Sequence, residues 1–295
     1  MNLNFTGLAS LPKKLAVKRL IEKQSLDVIF LQETMCVGDI LIKDMKILLK
    51  GWQFVSIDAK CRSGGSLLGW RIRNFILMNA WAMSLSLYVV LHSIESQLDI
   101  TFLNLYGPYL DRENFWNHLS GMDCFKSTYL VFGGDLNFSL GLSDIWGVNA
   151  HVDALTDYFT NILVGLGLVD IAPLDSIPTW SNRRVGTECI CKRLDKLLLS
   201  AYFLYRDFIF KQWIGSGGDS DHQPVFLQLS SNTSKKHCPF KFNACWLEHA
   251  ELVEILKDSW VVYDALSEVS LASQFVMNLK RIKYLSIDWS LTKKA

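Results

Sequence analysis

At 295 residues, half of them hydrophobic and a fifth charged, the chain has the composition of a globular protein with an ample core, which excludes disordered and fibrous classes. With 30 Lys plus Arg against 29 Asp plus Glu, it does not bind nucleic acid through net charge, and any such contact falls to a local patch. Seven cysteines without zinc-finger spacing, and no basic-then-apolar leader segment, point to reduced thiols in an intracellular protein.

The first segment, Asn2-Leu3-Asn4-Phe5, reads as a short strand broken by Thr6-Gly7. Ser10-Leu11-Pro12 then opens a helix: Ser10 is its N-cap, Pro12 suits a first turn, Leu15, Leu20 and Ile21 form the apolar stripe, and Lys13, Lys14, Lys18 and Arg19 face water. Residues 27–34 make an apolar strand that ends on a carboxylate, Glu33. A helix is expected over 43–49, and an alternating strand over 52–57. The stretches 63–70 and 81–91 read as strands of one sheet joined by turns. Residues 75–91 are apolar but interrupted by Asn79 and several serines, and a membrane span needs about 20 apolar residues, so no span is expected.

A buried strand over 98–108 ends on Tyr106 before a Gly-Pro turn, and a helix over 111–121 follows. Next comes Tyr129-Leu130-Val131-Phe132-Gly133-Gly134-Asp135-Leu136-Asn137. Its apolar run suits a strand buried on both faces. Asp135 and Asn137, two apart, share one side of an extended segment. Gly-Gly-Asp-Leu-Asn is also good turn chemistry, and taken alone this stretch leaves both readings open. A helix is expected over 152–166, a carboxylate-bearing strand over 193–200 with Asp195, and a strand introduced by Asp221-His222 over 220–229. From about residue 230 the character changes: a polar linker, 231–236, precedes two amphipathic helices over 247–260 and 266–284. The division is therefore 1–230 and 231–295.

Glu33, Tyr106, Asp135 with Asn137, Asp195, and Asp221 with His222 all stand at the ends of apolar strands. Unpaired buried carboxylates are costly, so such ends either face water or converge on a cation. Carboxylate and amide oxygens are hard ligands suited to Mg²⁺ or Mn²⁺. One His among carboxylates, with no Ser or Cys nucleophile motif, points to phosphoryl chemistry on water.

These motifs, in order Leu31-Gln32-Glu33-Thr34, Asn104-Leu105-Tyr106-Gly107-Pro108, Gly134-Asp135-Leu136-Asn137, Leu194-Asp195 and Ser220-Asp221-His222, resemble the endonuclease/exonuclease/phosphatase superfamily. Ser63-Gly64-Gly65, Phe115-Trp116, Thr179-Trp180-Ser181-Asn182 and 239–247 are similar to the apurinic-type endonuclease of plant LINE-type (non-LTR) retrotransposons and its link toward a reverse transcriptase. The resemblance implies a DNase I-like α/β fold, a four-layer sandwich of two mixed, mostly antiparallel sheets face to face with helices outside. It also implies a Mg²⁺- or Mn²⁺-dependent nuclease that nicks DNA, in the nucleus if its target is chromosomal. Carried over residue by residue, it makes Glu33, Asn4 and Asp221 metal residues, and Asp135 the group that orients or deprotonates water. Asn137 holds that water or a phosphate oxygen, His222 oriented by Asp195 meets the phosphate, Tyr106 bonds a phosphate oxygen, and Trp180 and Asn182 lie at the DNA. The two glycines are expected to open room for a phosphate.

The chain departs from that pattern in five places. Leu3 stands where Trp is usual and Thr6 where Arg is, Ser66 and Gly69 interrupt a strand, and Lys196 replaces Arg or Tyr. The reverse-transcriptase signature Tyr/Phe-Ala-Asp-Asp is not present, so a polymerase partner is expected only in a longer relative. Two rival readings keep the residues but change the role: a phosphatase for a phosphomonoester or phospholipid head group, and a non-catalytic remnant that only binds.

Overall fold

The structure is a computed structural model that describes residues 1–60, 63–83, 85–149, 151–206, 208–216, 220–231, 242, 244–262 and 270–292. In chain order the elements are β1 (Asn2–Asn4), α1 (Leu11–Lys23), β2 (Val28–Gln32), α2 (Gly38–Leu48), β3 (Trp52–Lys60), β4 (Ser63–Arg71), β5 (Phe75–Ala82), β6 (Ser86–Ser93) and β7 (Leu98–Tyr106). They continue with α3 (Arg112–Ser120), β8 (Leu130–Asp135), β9 (Ile145–Trp146), α4 (Thr156–Gly165), β10 (Leu168–Asp170), β11 (Trp180–Ser181), β12 (Cys191–Lys192), β13 (Asp195–Ser200), β14 (Phe208–Ile214), β15 (Val225–Ser231), α5 (Ala250–Ser259) and α6 (Leu271–Thr292).

Two six-stranded mixed sheets form, ordered β14-β15-β1-β2-β4-β3 and β10-β13-β8-β7-β6-β5, with a small third sheet β11-β12-β9. Each large sheet has one parallel pair, β1 with β2 and β7 with β8. The inner faces meet through Phe30, Leu68 and Trp70 of the first sheet and Leu87, Phe102, Val131 and Leu197 of the second. Outside the first sheet, Val17 and Ile21 of α1 and Leu41 and Met45 of α2 close a second apolar layer. Outside the second, Trp116 of α3 and Phe159 of α4 pack on Phe132 and Phe138. This is the four-layer sandwich expected, with the central strands buried on both faces and the edge strand β5 largely exposed. No helix among the described residues is long and apolar enough to cross a membrane.

Several expectations are corrected. The stretches 63–70 and 81–91 fall in different sheets: β4 pairs with β2 and β3, whereas β6 pairs with β5 and β7. Local pattern cannot distinguish a hairpin from a crossover between stacked sheets. Lys14 does not face water. It is buried in the α1 stripe with Val17 and Ile21, and its ammonium meets Asp44 of α2 at 2.5 Å. Ser10 occupies the N-cap position without a side-chain capping bond. The fourth helix begins at Thr156 because Asp153 accepts the Leu155 N–H and pairs with Arg112, which holds the preceding residues in a turn. Gly69 is not a flaw in its strand: a Cβ there would stand 2.5 Å from the Phe54 ring, so the glycine is what lets that ring pack.

The chain divides into two compact units, Met1–Thr233 and Ser234–Ala295. In the second unit α5 packs on α6, and Asn278 exchanges two hydrogen bonds with the backbone of Val261. α5 starts at Ala250, later than the expected 247, and α6 runs from Leu271 to Thr292. Most of the linker 231–236, the motif residues 239–241, and the expected helix start at 266–269 lie outside the described residues.

The glycines of β8 do not open space either. Strand pairing continues through both, Gly133 opposite Leu197 and Gly134 opposite Lys196. A Cβ on Gly133 would lie 2.5 Å from the Leu197 side chain, and one on Gly134, at φ +151, would lie 1.7 Å from the Leu105 carbonyl oxygen. They bring strands together so that Asp135 ends β8 in register with its neighbours. Replacing Gly134→Ala should therefore cost on the order of 3 kcal/mol of stability, combining backbone strain and overpacking. The measurement is the denaturant midpoint, and an unchanged midpoint would contradict this packing.

Candidate active site

Three adjacent strands of the second sheet end at one level. Tyr106 closes β7, Asp135 closes β8, and Asp195 opens β13, with Asp135 in register with both. From the first sheet come Asn4 at the end of β1 and Glu33 just past β2. His222 arrives on the loop before β15, where it bridges to Trp180.

These side chains are tied together. Asn4 donates its amide to Asp135 Oδ2 at 2.9 Å, and the Asn137 N–H reaches Asp135 Oδ1 at 3.3 Å. His222 Nδ1 donates to Asp195 Oδ2 at 2.7 Å, while Nε2 stands 3.8 Å from Asp135 Oδ2. The Tyr106 hydroxyl donates to Glu33. Asp135, Asp195 and His222 are all buried. Burial, and then the nearby Asp195 charge, push the Asp135 carboxyl up to about 7. Burial alone would depress His222, but the adjacent Asp195 carboxylate outweighs it and holds the imidazole at about 9. At neutral pH His222 is thus an imidazolium between the Asp195 carboxylate and the Asp135 carboxyl.

Ligand atoms of Asp135, Asp195 and His222 lie within 4.8 Å of one another, a group that could hold a divalent ion. A charged imidazole cannot ligate, so while His222 holds its proton the oxygens are the better ligands. Buried Asp195 Oδ1 and Asn137 Oδ1 have no hydrogen-bond partner. Orphaned hard oxygens beside a carboxyl raised by burial fit a hard cation.

The residues singled out from sequence are placed as follows. Asn4 has its amide nitrogen on Asp135, and its oxygen accepts the Thr6 N–H at 3.2 Å. Glu33 is half-buried at φ +49, an uncommon conformation for a non-glycine residue. Asn137, at φ +53, donates its side chain to the Gly107 carbonyl at 2.7 Å. Asp221 has both oxygens engaged, by the Thr6 hydroxyl at 2.7 Å and the Trp180 indole N–H at 3.3 Å. Burial would raise its carboxyl, yet the Thr6 bond and the His222 charge hold it below the usual range. Trp180 and Asn182 line an open groove of about 690 Å³ together with Lys13, Arg183, Arg184, Ile190 and Asp221. Asn182 is occupied in shaping the β11–β12 hairpin: its side chain donates to the Glu188 carbonyl and accepts the N–H groups of Arg184 and Ile190.

Four residues have roles at the site that the sequence did not assign to them. Thr179 Oγ1 accepts the N–H groups of Leu194 and Asp195 at 3.0 Å each, fixing the start of β13. Ser220 donates to the Asn4 carbonyl at 2.7 Å and accepts the His222 N–H at 3.1 Å, so it joins β1 to the histidine loop. Thr6 anchors Asp221. Tyr109, its ring mostly exposed, has its hydroxyl pushed up to about 12 by partial burial and by the Asp135 and Glu33 carboxylates, which places it beside the site. An aromatic following a Gly-Pro turn was the available signal.

Behind Asp195, fully buried Lys196 meets Asp144 at 2.7 Å. Arg193 meets Asp144 at 2.7 Å and Asp170 at 2.5 Å. The departure at Lys196 is therefore part of a quartet of two cations and two anions. A second cavity, about 590 Å³, lies at the opposite strand ends beside Val28, Ile100 and Val131, away from this chemistry.

No family model matches the sequence, and no curated protein matches it. Solved structures do. The structure is similar to an AP endonuclease from Archaeoglobus fulgidus at TM-score 0.60 and 17% identity, covering 77% of this chain and 97% of that one. The endonuclease domain of TRAS1, a telomere-specific non-LTR retrotransposon, superposes at 0.59 with 16% identity, covering 77% and 96%. A mannosyl-6-phosphatase from Bacteroides thetaiotaomicron superposes at 0.52 with 14% identity, covering 78% and 98%. The chain thus has the DNase I-like fold shared by these endonucleases and phosphatases.

The metal-free protein should lose stability as pH rises. Asp135 binds its proton more tightly folded (about 7) than at its ordinary value of 3.8, and His222 likewise (about 9 against 6.5). The folded state therefore holds more protons between pH 3.8 and 9, and stability falls across that window. Asp135→Asn removes the lower part of this slope and should stabilise the chelated protein by a few kcal/mol at pH 8. Thermal melts in EDTA at pH 5 and pH 8 measure it, and an equal pH effect in parent and variant would refute the assignment.

Proposed function

We propose that the protein is a divalent-metal-dependent phosphodiesterase that nicks DNA. The observation that carries this reading is the His222 imidazolium held between Asp195 and Asp135 beside a groove bearing Lys13, Arg183 and Arg184. Hydrolysis of a phosphodiester requires a positioned water, a proton acceptor and fixed positive charge for the developing anion. In this reading Asp135, oriented by Asn4 and the Asn137 N–H, accepts the proton of the attacking water. Its raised affinity for a proton makes it a base matched to neutral pH. His222, kept charged and oriented by Asp195, donates from Nε2 to a phosphate oxygen. Tyr106 positions Glu33. Glu33, Asp135, Asp195 and Asn137 offer oxygens to Mg²⁺ or Mn²⁺, which would polarise the phosphate and stabilise the leaving oxygen.

DNA is favoured as substrate because the cations extend beyond the buried trio into an open groove, where Trp180 offers an aromatic face. That suits a polymer backbone better than an isolated head group. Two similar structures, an AP endonuclease and the endonuclease domain of a non-LTR retrotransposon, support the same reading. The proposal extends to an origin in a LINE-type element, to action in the nucleus on chromosomal targets, and to a reverse-transcriptase domain accompanying the nuclease in a longer relative. A near-neutral net charge and the phosphatase of the same fold favour the second reading, hydrolysis of a small phosphomonoester.

Purified protein should nick supercoiled plasmid with Mg²⁺ and not in EDTA, and Asp135→Ala or His222→Ala should each lower the rate by about 10²-fold or more. Equal nicking by the variants would sink the proposal. Arg183→Glu with Arg184→Glu should weaken plasmid binding and reduce its logarithmic salt slope by about 2, as expected for two lost phosphate contacts. Release of phosphate from small monoesters without nicking would select the phosphatase reading.

A further inference from the structure

The β11–β12 hairpin that forms one wall of the groove carries two thiols that the reaction does not use. Cys189 Sγ and Cys191 Sγ lie 3.9 Å apart, and both residues are half-buried. Ile190 between them lines the groove. Side chains alternate along an extended segment, which sets the two thiols together on the other face. The backbone of Ile190 also holds the hairpin: its carbonyl accepts the Asn182 N–H at 3.0 Å, and its N–H donates to Asn182 Oδ1 at 3.1 Å. The Arg184 N–H bonds to that same Asn182 oxygen at 3.1 Å. The backbone of Arg184 thus shares its Asn182 anchor with the residue between the two sulfurs.

We propose that Cys189 and Cys191 form an oxidisable dithiol, and that its closure to a disulfide loosens the basic wall of the groove. The consequence for binding rests on the DNA reading above; the dithiol itself does not. The oxidant is a peroxide. One thiolate attacks an oxygen of the O–O bond, an S–O bond forms, and hydroxide departs with the thiol's proton as water. The second thiolate attacks the sulfenic sulfur, the S–S bond forms, and a second water leaves. Two electrons and two protons pass from the dithiol to the peroxide. An S–S bond is about 2.05 Å long, so the sulfurs must draw together by nearly 2 Å. Cα atoms two apart in a strand are separated by about 6.7 Å, the upper limit a disulfide spans, about 6.8 Å. Closure therefore bends the chain at Ile190 and pulls it from Asn182. A strained bond of this kind is readily reduced, so the change reverses with a thiol.

The test uses the full chain treated with hydrogen peroxide. A mass loss of roughly 2 Da, the two hydrogens of the dithiol, should map to the tryptic peptide 185–192, revert with dithiothreitol, and be missing in Cys191→Ser. Sulfinic acid on separate cysteines, or no change, overturns the dithiol. Fluorescent duplex DNA binding, measured with Ca²⁺ in place of Mg²⁺, should be several-fold weaker for the oxidised than for the reduced parent and indifferent to peroxide in Cys189→Ser and Cys191→Ser. Equal affinity of both forms overturns the link to the groove. A reduced parent that binds no DNA defeats the nuclease reading and likewise the link, while the mass result still decides the dithiol.

Discussion

A small cluster of buried amides holds the two sheets in register, and the site depends on it. Gln32, the last residue of β2, donates to Asn2 at 2.7 Å and to Asn104 at 2.5 Å across the sheet interface. Asn104 in turn donates to the carbonyls of Leu31 and Leu67 at 3.3 and 3.1 Å. Asn4 and Glu33 belong to one sheet, and Tyr106, Asp135 and Asp195 to the other. Apolar packing is tolerant of small slides, but hydrogen bonds are directional, and cutting one in a dry interior leaves a partner orphaned at a cost of about 1–3 kcal/mol. The contact between Tyr106 and Glu33 lies one residue from Gln32 and two from Asn104, so the amides fix the site's span.

The same division explains what could be read from the sequence. Acids at the ends of apolar runs announced Glu33, Asp135 and Asp195, because strand ends must expose or pair what the strand interior cannot hold. The five short motifs then implied the fold only through the family resemblance they carry, since the strands they mark, β2, β7, β8, β13 and β15, are scattered along the chain. Thr179 and Ser220 stood within the motifs, but their anchoring roles were not legible, because their hydroxyls bind backbone atoms of residues distant in sequence or of loops, where no periodicity reports them. Lys14 looked solvated for a related reason: its charge is satisfied by Asp44 on another helix, and its aliphatic stem completes the buried stripe. The glycines misled in both directions. Gly133 and Gly134 suggested open space, and Gly69 suggested weakness, while all three mark places where another backbone or ring is pressed close.

Charge is handled differently in the two halves of the site. At Asp135 burial and the nearby Asp195 charge make the ionised carboxyl costly, and the His222 imidazolium offsets only part of that cost. Around Asp195 the supporting shell is fully paired, with Thr179 on its backbone and the Lys196, Asp144, Arg193 and Asp170 quartet behind it. A rigid, neutralised support is what permits a strained and charged front.

The quartet also separates two properties by ionic strength. Its members are shielded from solvent, so mobile ions reach them poorly, whereas Lys13, Arg183 and Arg184 border an open groove where screening is effective within about 10 Å at 0.1 M salt. If the groove takes DNA as proposed, added salt acts on its grip for that polyanion and not on the paired scaffold behind Asp195. Ionic strength is then a dial on residence time at the groove, with the geometry of the buried cluster held constant.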